Sequence, residues 1–270
     1  MSFARLFPDA DYQHHLSVKR GDARRFFAPT SEHEVIVAER ARWLKESPYL
    51  YAGALESSQS IIEDAVDAMR EWGAINQVAS EAKDSLGQIS ALGAKIEPDV
   101  VLLEKNPDGV FRVVAGCVCF PSSWAFSEKL GKPLDSVHSV VPNLNSDIGA
   151  PISRYLDKIQ PGTAWERSNW GLSSSPERNQ HPSRNIARLK TPADLNHVWL
   201  RVEDQILTIL PGTMALLFGI RIVTCRLSDL REEEPVTAAG LHRALATLPE
   251  EMARYKNISD VRAELIGLLA

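Results

Sequence analysis

The stretch that decides the fold runs from Asp99 to Phe120 and reads DVVLLEK-NPDG-VFRVVAGCVCF. β-branched and other apolar residues fill both arms, and Asn106-Pro107-Asp108-Gly109 between them are turn formers. The stretch lies between Pro98 and Pro121, which limit further pairing on either side. The pattern predicts a β-hairpin of strand, tight turn and strand.

The sequence before this hairpin has helical periodicity. Ser31 and Glu34 form a capping-box pattern that opens a predicted helix ending at Pro48. A second helix is predicted to begin at residues 57–60 and to end at Gly73, and residues 74–92 are also predicted to be helical. Residues 1–29 show neither helical nor strand periodicity, and we interpret them as an arm on the surface.

The sequence after the hairpin mixes both periodicities. Residues 123–130 predict a short helix that ends at Gly131. The polar stretch 173–191 predicts a long loop, either a lid or a surface excursion. The remaining predictions are a helix over 147–160, strands over 164–172, 195–205 and 214–225, with the last one central, and helices over 237–256 and 259–269.

This order of elements indicates an α+β fold. It lacks the regular strand–helix alternation of a doubly wound protein, so we expect an antiparallel sheet with flanking helices. We expect one domain over residues 1–270. Within it we distinguish a mainly helical N-terminal part over 1–95, a sheet-containing part over 96–230 and C-terminal helices over 231–270.

Composition excludes several classes of protein. The 270 residues are 44% hydrophobic and 24% charged, which is typical of a folded soluble protein. The 30 Lys and Arg residues and 35 Asp and Glu residues give a net charge of −5, so a nucleic-acid partner is not expected. The longest apolar segment, 206–220, is interrupted by Pro211 and Gly212, and no membrane association is expected.

The three cysteines lack the spacing of a zinc site or a disulfide framework. We interpret Cys117, Cys119 and Cys225 as buried thiols in a reducing compartment, and the N-terminus lacks the apolar stretch of a signal peptide. A cytoplasmic location is therefore predicted. Glycine-rich nucleotide fingerprints, the H-E-x-x-H zinc motif and the G-x-S-x-G nucleophile motif are all absent from the sequence.

A series of short motifs carries a family resemblance. The motifs are GCVCFPSSW at 116–124, EKLGKPL at 128–134, VHSVVP at 137–142, RSNW at 167–170, LRVEDQ at 200–205, LP at 210–211, FGIR at 218–221 and YK at 255–256. In order and spacing, from about residue 92 to residue 256, the chain resembles the haem-dependent oxidative N-demethylase family. That family comprises the haem-bearing subunits of dimethylamine-type demethylases.

The resemblance implies a PAS-like pocket that holds haem b through a histidine. It also implies an oxidoreductase of the monooxygenase type, which uses dioxygen to remove a methyl group from a small methylated amine as formaldehyde. The chain has neither a dinucleotide fingerprint nor a four-cysteine iron–sulfur pattern. Electrons would therefore come from a separate flavin/iron–sulfur reductase.

By residue matching, His138 takes the place of the family's motif histidine and is the predicted iron ligand. Val137, Val140 and Val141 would build an apolar wall beside it, and Pro142 would stiffen the exit of the chain. A neutral imidazole serves as an axial ligand when its other ring nitrogen is held by an acceptor. The alternative is a half-buried histidine that bonds a backbone carbonyl.

Strand alternation and the same matching give the other candidate residues. Arg167 and Asn169 share one strand face and Trp170 points the opposite way; Arg201 and Glu203 also share a face. Glu203 would hold the substrate ammonium, while Arg201 or Arg167 would neutralise an anionic oxygen or a haem propionate. The alternative for Arg201 and Glu203 is a surface ion pair between strands. Trp124 and Lys129 are candidates for contact with the haem edge, and the alternative roles are packing and a helix C-terminal charge.

Two positions depart from the family pattern. Val140 stands where the family usually has proline, and Asp204 stands where it has arginine. If that arginine meets a propionate or an anionic intermediate, Asp204 would reverse a local charge. This leaves two alternatives to an enzyme open: a haem-binding PAS-like sensor without the chemistry, and a haem-free ligand-binding relative.

Overall fold

The protein folds around a seven-stranded antiparallel sheet, in a computed structural model that describes residues 3, 6–8, 10–76 and 84–270. The strands are β1 (Lys19–Gly21), β2 (Ala52–Ala54), β3 (Asp99–Lys105), β4 (Phe111–Cys117), β5 (Ala164–Ser173), β6 (Trp199–Ile209) and β7 (Leu216–Arg226). Their order across the sheet is β1-β5-β6-β7-β3-β4-β2. The apolar strand β7 is therefore central, as predicted.

Helices flank the sheet and confirm the α+β prediction. They are α1 (Ala23–Phe27), α2 (His33–Glu46), α3 (Pro48–Tyr51), α4 (Gln59–Glu71), α5 (Ser85–Gly93), α6 (Leu134–His138), α7 (Ala150–Leu156), α8 (Leu227–Glu233), α9 (Pro235–Thr247), α10 (Glu250–Tyr255) and α11 (Arg262–Leu269). A π-helical turn over Asn145–Gly149 precedes α7, and short 3₁₀ turns include Phe126–Glu128. Within the described residues, no helix has the length and apolar composition needed to cross a bilayer.

The β3–β4 hairpin is confirmed. Asn106 accepts a hydrogen bond from the Val110 N–H at 2.8 Å, and Gly109 adopts φ +85°, a conformation that favours glycine. In β4, a Cβ added at Gly116 would lie 2.7 Å from the Val100 carbonyl oxygen. Only glycine therefore lets β4 lie this close to its neighbours.

The two faces of the sheet bury different cores. On one face, Leu102, Ile206 and Leu217 pack against helices α2, α4 and α5, while Leu200 and Val202 pack against α9 and α11. On the opposite face, strand residues pack against α7 to form a third core. Its members include Val101, Leu103, Val113, Phe126, Ile148, Ile152, Leu156, Ile209 and Leu216. Alternation along β6 thus divides its side chains between the two faces.

The N-terminal segment is more deeply packed than the predicted surface arm. Phe7, Phe26 and Phe27 are buried in the cores, and β1 pairs with β5 at one edge of the sheet. Isolated aromatic anchors bury large areas without any sequence period, so the pattern could not reveal them. In the region 74–92, residues 77–83 lie outside the described part of the chain; α5 covers the end of that predicted helix.

A buried carboxylate ties this N-terminal segment to the sheet. Glu97 accepts hydrogen bonds from the Thr30 N–H at 2.6 Å and the Thr30 hydroxyl at 3.1 Å, and it forms ion pairs with Arg221 and His33. Burial alone would raise the pKa of Glu97, but the Thr30 N–H and the Arg221 guanidinium outweigh burial and lower it.

The variant Glu97→Gln is expected to unfold more easily at neutral pH, by about 2–3 kcal/mol, because Arg221 and Thr30 lose their charged acceptor. Since the pKa of Glu97 is lowered in the folded state, its charge stabilises the fold above the ordinary pKa of 4.5. This contribution is lost as the pH falls through the folded-state pKa. Urea unfolding at pH 7 and at pH 3 measures this, and the difference in unfolding free energy between wild type and variant should be smaller at pH 3. The exposed Glu232→Gln serves as the control; a gap of equal size at both pH values would contradict the assignment.

Candidate functional site

The pairing of β5 with β6 gathers polar side chains on the face that carries α7. Arg167 lies opposite Gln205, and Asn169 lies opposite Glu203. Directly paired residues of antiparallel strands point to the same side of a sheet. Arg167, Asn169, Arg201, Glu203 and Gln205 therefore form one group, which we call the polar patch.

Glu203 is the carboxylate of the polar patch and is held from three directions. Its Oε1 accepts the Ser122 hydroxyl at 2.6 Å. Its Oε2 accepts the Gln205 amide at 2.9 Å and the Asn169 amide at 3.4 Å. These donors fix the carboxylate orientation, and its negative charge is available to a cationic group.

Arg201 is buried, and hydrogen bonds occupy its guanidinium. Nε donates to the Ser122 hydroxyl at 2.8 Å, and Nη2 donates to the carbonyls of Phe120 at 2.7 Å and Arg178 at 2.8 Å. Nη1 donates to the Glu177 carbonyl at 3.2 Å. Burial lowers the pKa of Arg201 to about 10, which leaves it protonated at neutral pH. Arg201 thus fastens to β6 both the segment with Phe120 and Ser122 and the loop with Glu177 and Arg178.

Arg167 contrasts with Arg201. Its guanidinium is half-buried and forms no hydrogen bond with any residue that the structure describes. Burial lowers the pKa of Arg167, while the charges of Glu203 and Tyr12 act in the opposite direction. A partly desolvated guanidinium with free donors is suited to an incoming anion.

His138 ends α6 and lies within electrostatic range of Arg167. Its ring is half-buried, and within the described part of the chain neither ring nitrogen has a hydrogen-bond partner. Burial and the nearby Arg167 charge lower its pKa to about 4, against the opposing effect of Asp135. The imidazole is therefore neutral at physiological pH, with a lone pair available. Of the predicted apolar wall, Val137 and Val141 pack against the cores, but Val140 is 54% exposed and does not contribute.

Two tyrosines and a lysine border the polar patch. Burial and Tyr255 raise the pKa of Tyr12 to about 12, and Glu203 helps burial to raise the pKa of Tyr255. The Lys256 ammonium donates to the Trp170 carbonyl at 2.6 Å and lies 4.4 Å from the Trp170 ring centroid. Burial lowers the pKa of Lys256 to about 8, with Glu203 opposing.

Comparison with known families identifies the chain. Residues 38–266 match the family described as haem-dependent oxidative N-demethylase, alpha subunit-like. The chain belongs to this haem-dependent oxidative N-demethylase family. Membership confirms the resemblance drawn from the motifs and supports haem dependence.

For this demethylase-family chain, the structure brings together some of the residues predicted from sequence and separates others. Trp170 lies on the opposite face from the polar patch, packed edge-to-face on Phe7 with ring centroids 5.2 Å apart. Trp124 packs against the third core, and Lys129 follows the 3₁₀ turn Phe126–Glu128. Neither of these two side chains hydrogen-bonds to the polar patch in the part of the chain that the structure describes. Their assignment to the haem edge stays a prediction.

The departure from the family pattern at Asp204 lies away from the polar patch. Its neighbours Glu203 and Gln205 point to one face, so Asp204 points to the other, where its carboxylate accepts the Ser168 hydroxyl at 2.7 Å. Alternate residues of a strand face opposite sides of the sheet, so the charge that Asp204 changes lies on the face away from Glu203. Its effect on function stays a prediction.

Sequence reasoning missed the residues that support Glu203. Ser122 lies inside the GCVCFPSSW motif, directly after the predicted strand end at Pro121, and nothing in the pattern marks it as a site residue. Tyr255 and Lys256 are also within quoted motifs, and Tyr12 lies in the segment interpreted as a surface arm. The signal available in the sequence was that Ser122, Tyr255 and Lys256 lie within the demethylase motifs. That these residues come together in space depends on tertiary pairing.

Proposed function

We propose that this chain binds haem b through His138, in front of the polar patch, and catalyses oxidative N-demethylation of a small methylated amine. The methyl group that is removed leaves as formaldehyde, and dioxygen is the oxidant. The observation that supports this most strongly is the neutral, unpartnered imidazole of His138 within electrostatic range of the unpartnered guanidinium of Arg167.

The residues present suit haem in their chemistry. His138 offers a neutral nitrogen donor, and Arg167 offers free N–H donors to a propionate. When bound, haem supplies the iron at which dioxygen is reduced. The electrons come from a separate flavin/iron–sulfur reductase, because three cysteines are one short of a four-cysteine cluster.

Glu203 binds the amine. Its carboxylate attracts a substrate ammonium and accepts the proton that the amine must lose before oxidation, while Ser122 and Gln205 keep it in one orientation. Arg201 acts as a positioning residue: its donors are taken by Ser122 and backbone carbonyls, so it holds Ser122 against Glu203. Arg167 takes the anion-neutralising role.

The variant Glu203→Gln is expected to lower kcat/KM for dimethylamine roughly 100-fold, since the amide keeps the shape of the carboxylate but neither attracts the ammonium nor accepts its proton. Formaldehyde release with an artificial reductant measures this. Asp204→Asn is the matched control, because the neighbouring carboxylate faces away from the polar patch. Equal losses in the two variants would contradict the role of Glu203.

Two readouts test the function as a whole. The purified chain is expected to show a Soret band and to release formaldehyde from dimethylamine when reduced in air. A Soret band without formaldehyde release from any methylated amine would indicate a sensor, and the absence of haem binding would indicate a haem-free relative. Asp204, which lends the sensor alternative some support, lies on the opposite face of the sheet from Glu203.

A further inference from the structure

A cavity of about 340 Å³ lies between the polar loop 173–191 and the end of α10. Its volume is in the lower part of the range of roughly 300–1,000 Å³ that small-molecule sites occupy. Leu172, Ile186 and Leu189 contribute apolar lining, while Lys256 and Arg188 contribute positive charge. Among the described residues that line it, none is acidic. The lining therefore combines two cations and several neutral polar side chains with an apolar strip of Leu172, Ile186 and Leu189.

Both cations keep free hydrogen-bond donors. The Lys256 ammonium uses one N–H on the Trp170 carbonyl, which leaves two. Arg188 is exposed, and within the described part of the chain no hydrogen bond engages its guanidinium. A carboxylate between them would gain two charge-assisted partners.

His181 also lines the cavity. It is 5% exposed, and its Nδ1 accepts the Ser183 N–H at 3.2 Å, so in the neutral ring the proton resides on Nε2. Nε2 is shielded from solvent and has no hydrogen-bond partner among the described residues. A buried donor without a partner is costly unless an acceptor comes to it.

The loop wall of the cavity is already held in place. The Gln180 amide donates to the Ser173 hydroxyl at 2.8 Å, and the Asn179 amide donates to the Tyr51 hydroxyl at 3.0 Å. Arg201 fastens the carbonyls of Glu177 and Arg178 to β6. A ligand would therefore meet a preorganised wall, which reduces the entropic cost of binding.

We propose that this cavity binds a small organic carboxylate, with its carboxyl group between Lys256 and Arg188 and its apolar body on Leu172, Ile186 and Leu189. A monocarboxylate with a short branched hydrocarbon body matches both the charge and the apolar lining. The cavity lining includes neither His138 nor a polar-patch residue, although Lys256 also borders the patch. The proposal does not depend on the function proposed for the His138 site.

Calorimetric titration with isovalerate tests the proposal, and its neutral amide isovaleramide is the matched ligand. Wild-type protein is expected to bind isovalerate at least about tenfold more tightly than the amide. Arg188→Gln is expected to weaken isovalerate binding about tenfold, and the exposed Lys158→Gln is expected to leave it unchanged. Equal binding of acid and amide, or binding insensitive to Arg188→Gln, would overturn the proposal.

Two further variants separate this site from its surroundings. Lys256→Gln should weaken isovalerate binding as Arg188→Gln does. If Lys256→Gln unfolds because it loses the contact with the Trp170 carbonyl, the Arg188→Gln variant still tests the proposal. His138→Ala should bind isovalerate normally. Loss of binding in His138→Ala, or displacement of isovalerate by haem, would show that the cavity is part of the haem site and would refute a separate one.

Discussion

Replacing His138 by Ala is expected to abolish the Soret band of the purified chain while the fold remains. The imidazole is half-buried at the end of the short helix α6 and hydrogen-bonds to none of the described residues, so its removal leaves no buried partner unsatisfied. A haem protein that loses its axial donor loses most of its affinity for the iron. Absorption spectra after haem titration measure the effect, and far-UV circular dichroism checks the fold.

The matched control for this variant is His181→Ala. His181 is a buried histidine whose Nε2 has no partner among the described residues, so it would compete for the iron once that nitrogen loses its proton. We expect His181→Ala to keep the Soret band. Normal haem retention in His138→Ala, or its loss only in His181→Ala, would contradict the assignment of the ligand.

The second large effect is expected for Arg40→Met, which should destabilise the fold by about 3–5 kcal/mol. Arg40 is completely buried, and its Nε donates to the Gly93 carbonyl at 2.6 Å while Nη1 pairs with Asp99. Its loss would leave the buried Asp99 carboxylate without its counter-charge. Asp99 also accepts the N–H groups of Cys119 at 2.7 Å and Phe120 at 3.1 Å, so the damage should reach the strand end beside Ser122.

Urea unfolding measures this loss. Arg42→Met on the same helix is the control, since that guanidinium is exposed over the Trp43 ring and is worth about 1 kcal/mol or less. Adding Asp99→Leu to Arg40→Met should cost much less than the two single changes summed, because the second change removes the unpaired charge. Additive losses would contradict a coupled buried pair.

Local sequence determined the parts of the fold that depend on local physics. The β3–β4 hairpin followed from alternating apolar residues around Asn106-Pro107-Asp108-Gly109, and α2 and α4 followed from their periodicity. The three-residue strands β1 and β2 at the sheet edges could not be predicted, because three residues carry no detectable period.

The sequence could predict which residues of the candidate site share a face within one strand, but not which strands come together. Alternation placed Arg167 with Asn169 and Arg201 with Glu203, but the register that joins β5 to β6 is a tertiary property. The same limit hid the contact of Ser122 with Glu203, which spans 81 residues. It also hid the burial of Arg40, since a charged residue in a helix is ordinarily expected on the exposed face.

The most direct measurement is a crystal structure of the chain loaded with haem. We predict an iron–nitrogen bond to the His138 ring, Arg167 in contact with a propionate, and the Glu203 carboxylate on the iron-facing side of the polar patch. An iron bound to another residue, or a haem held away from β5 and β6, would contradict the proposed site.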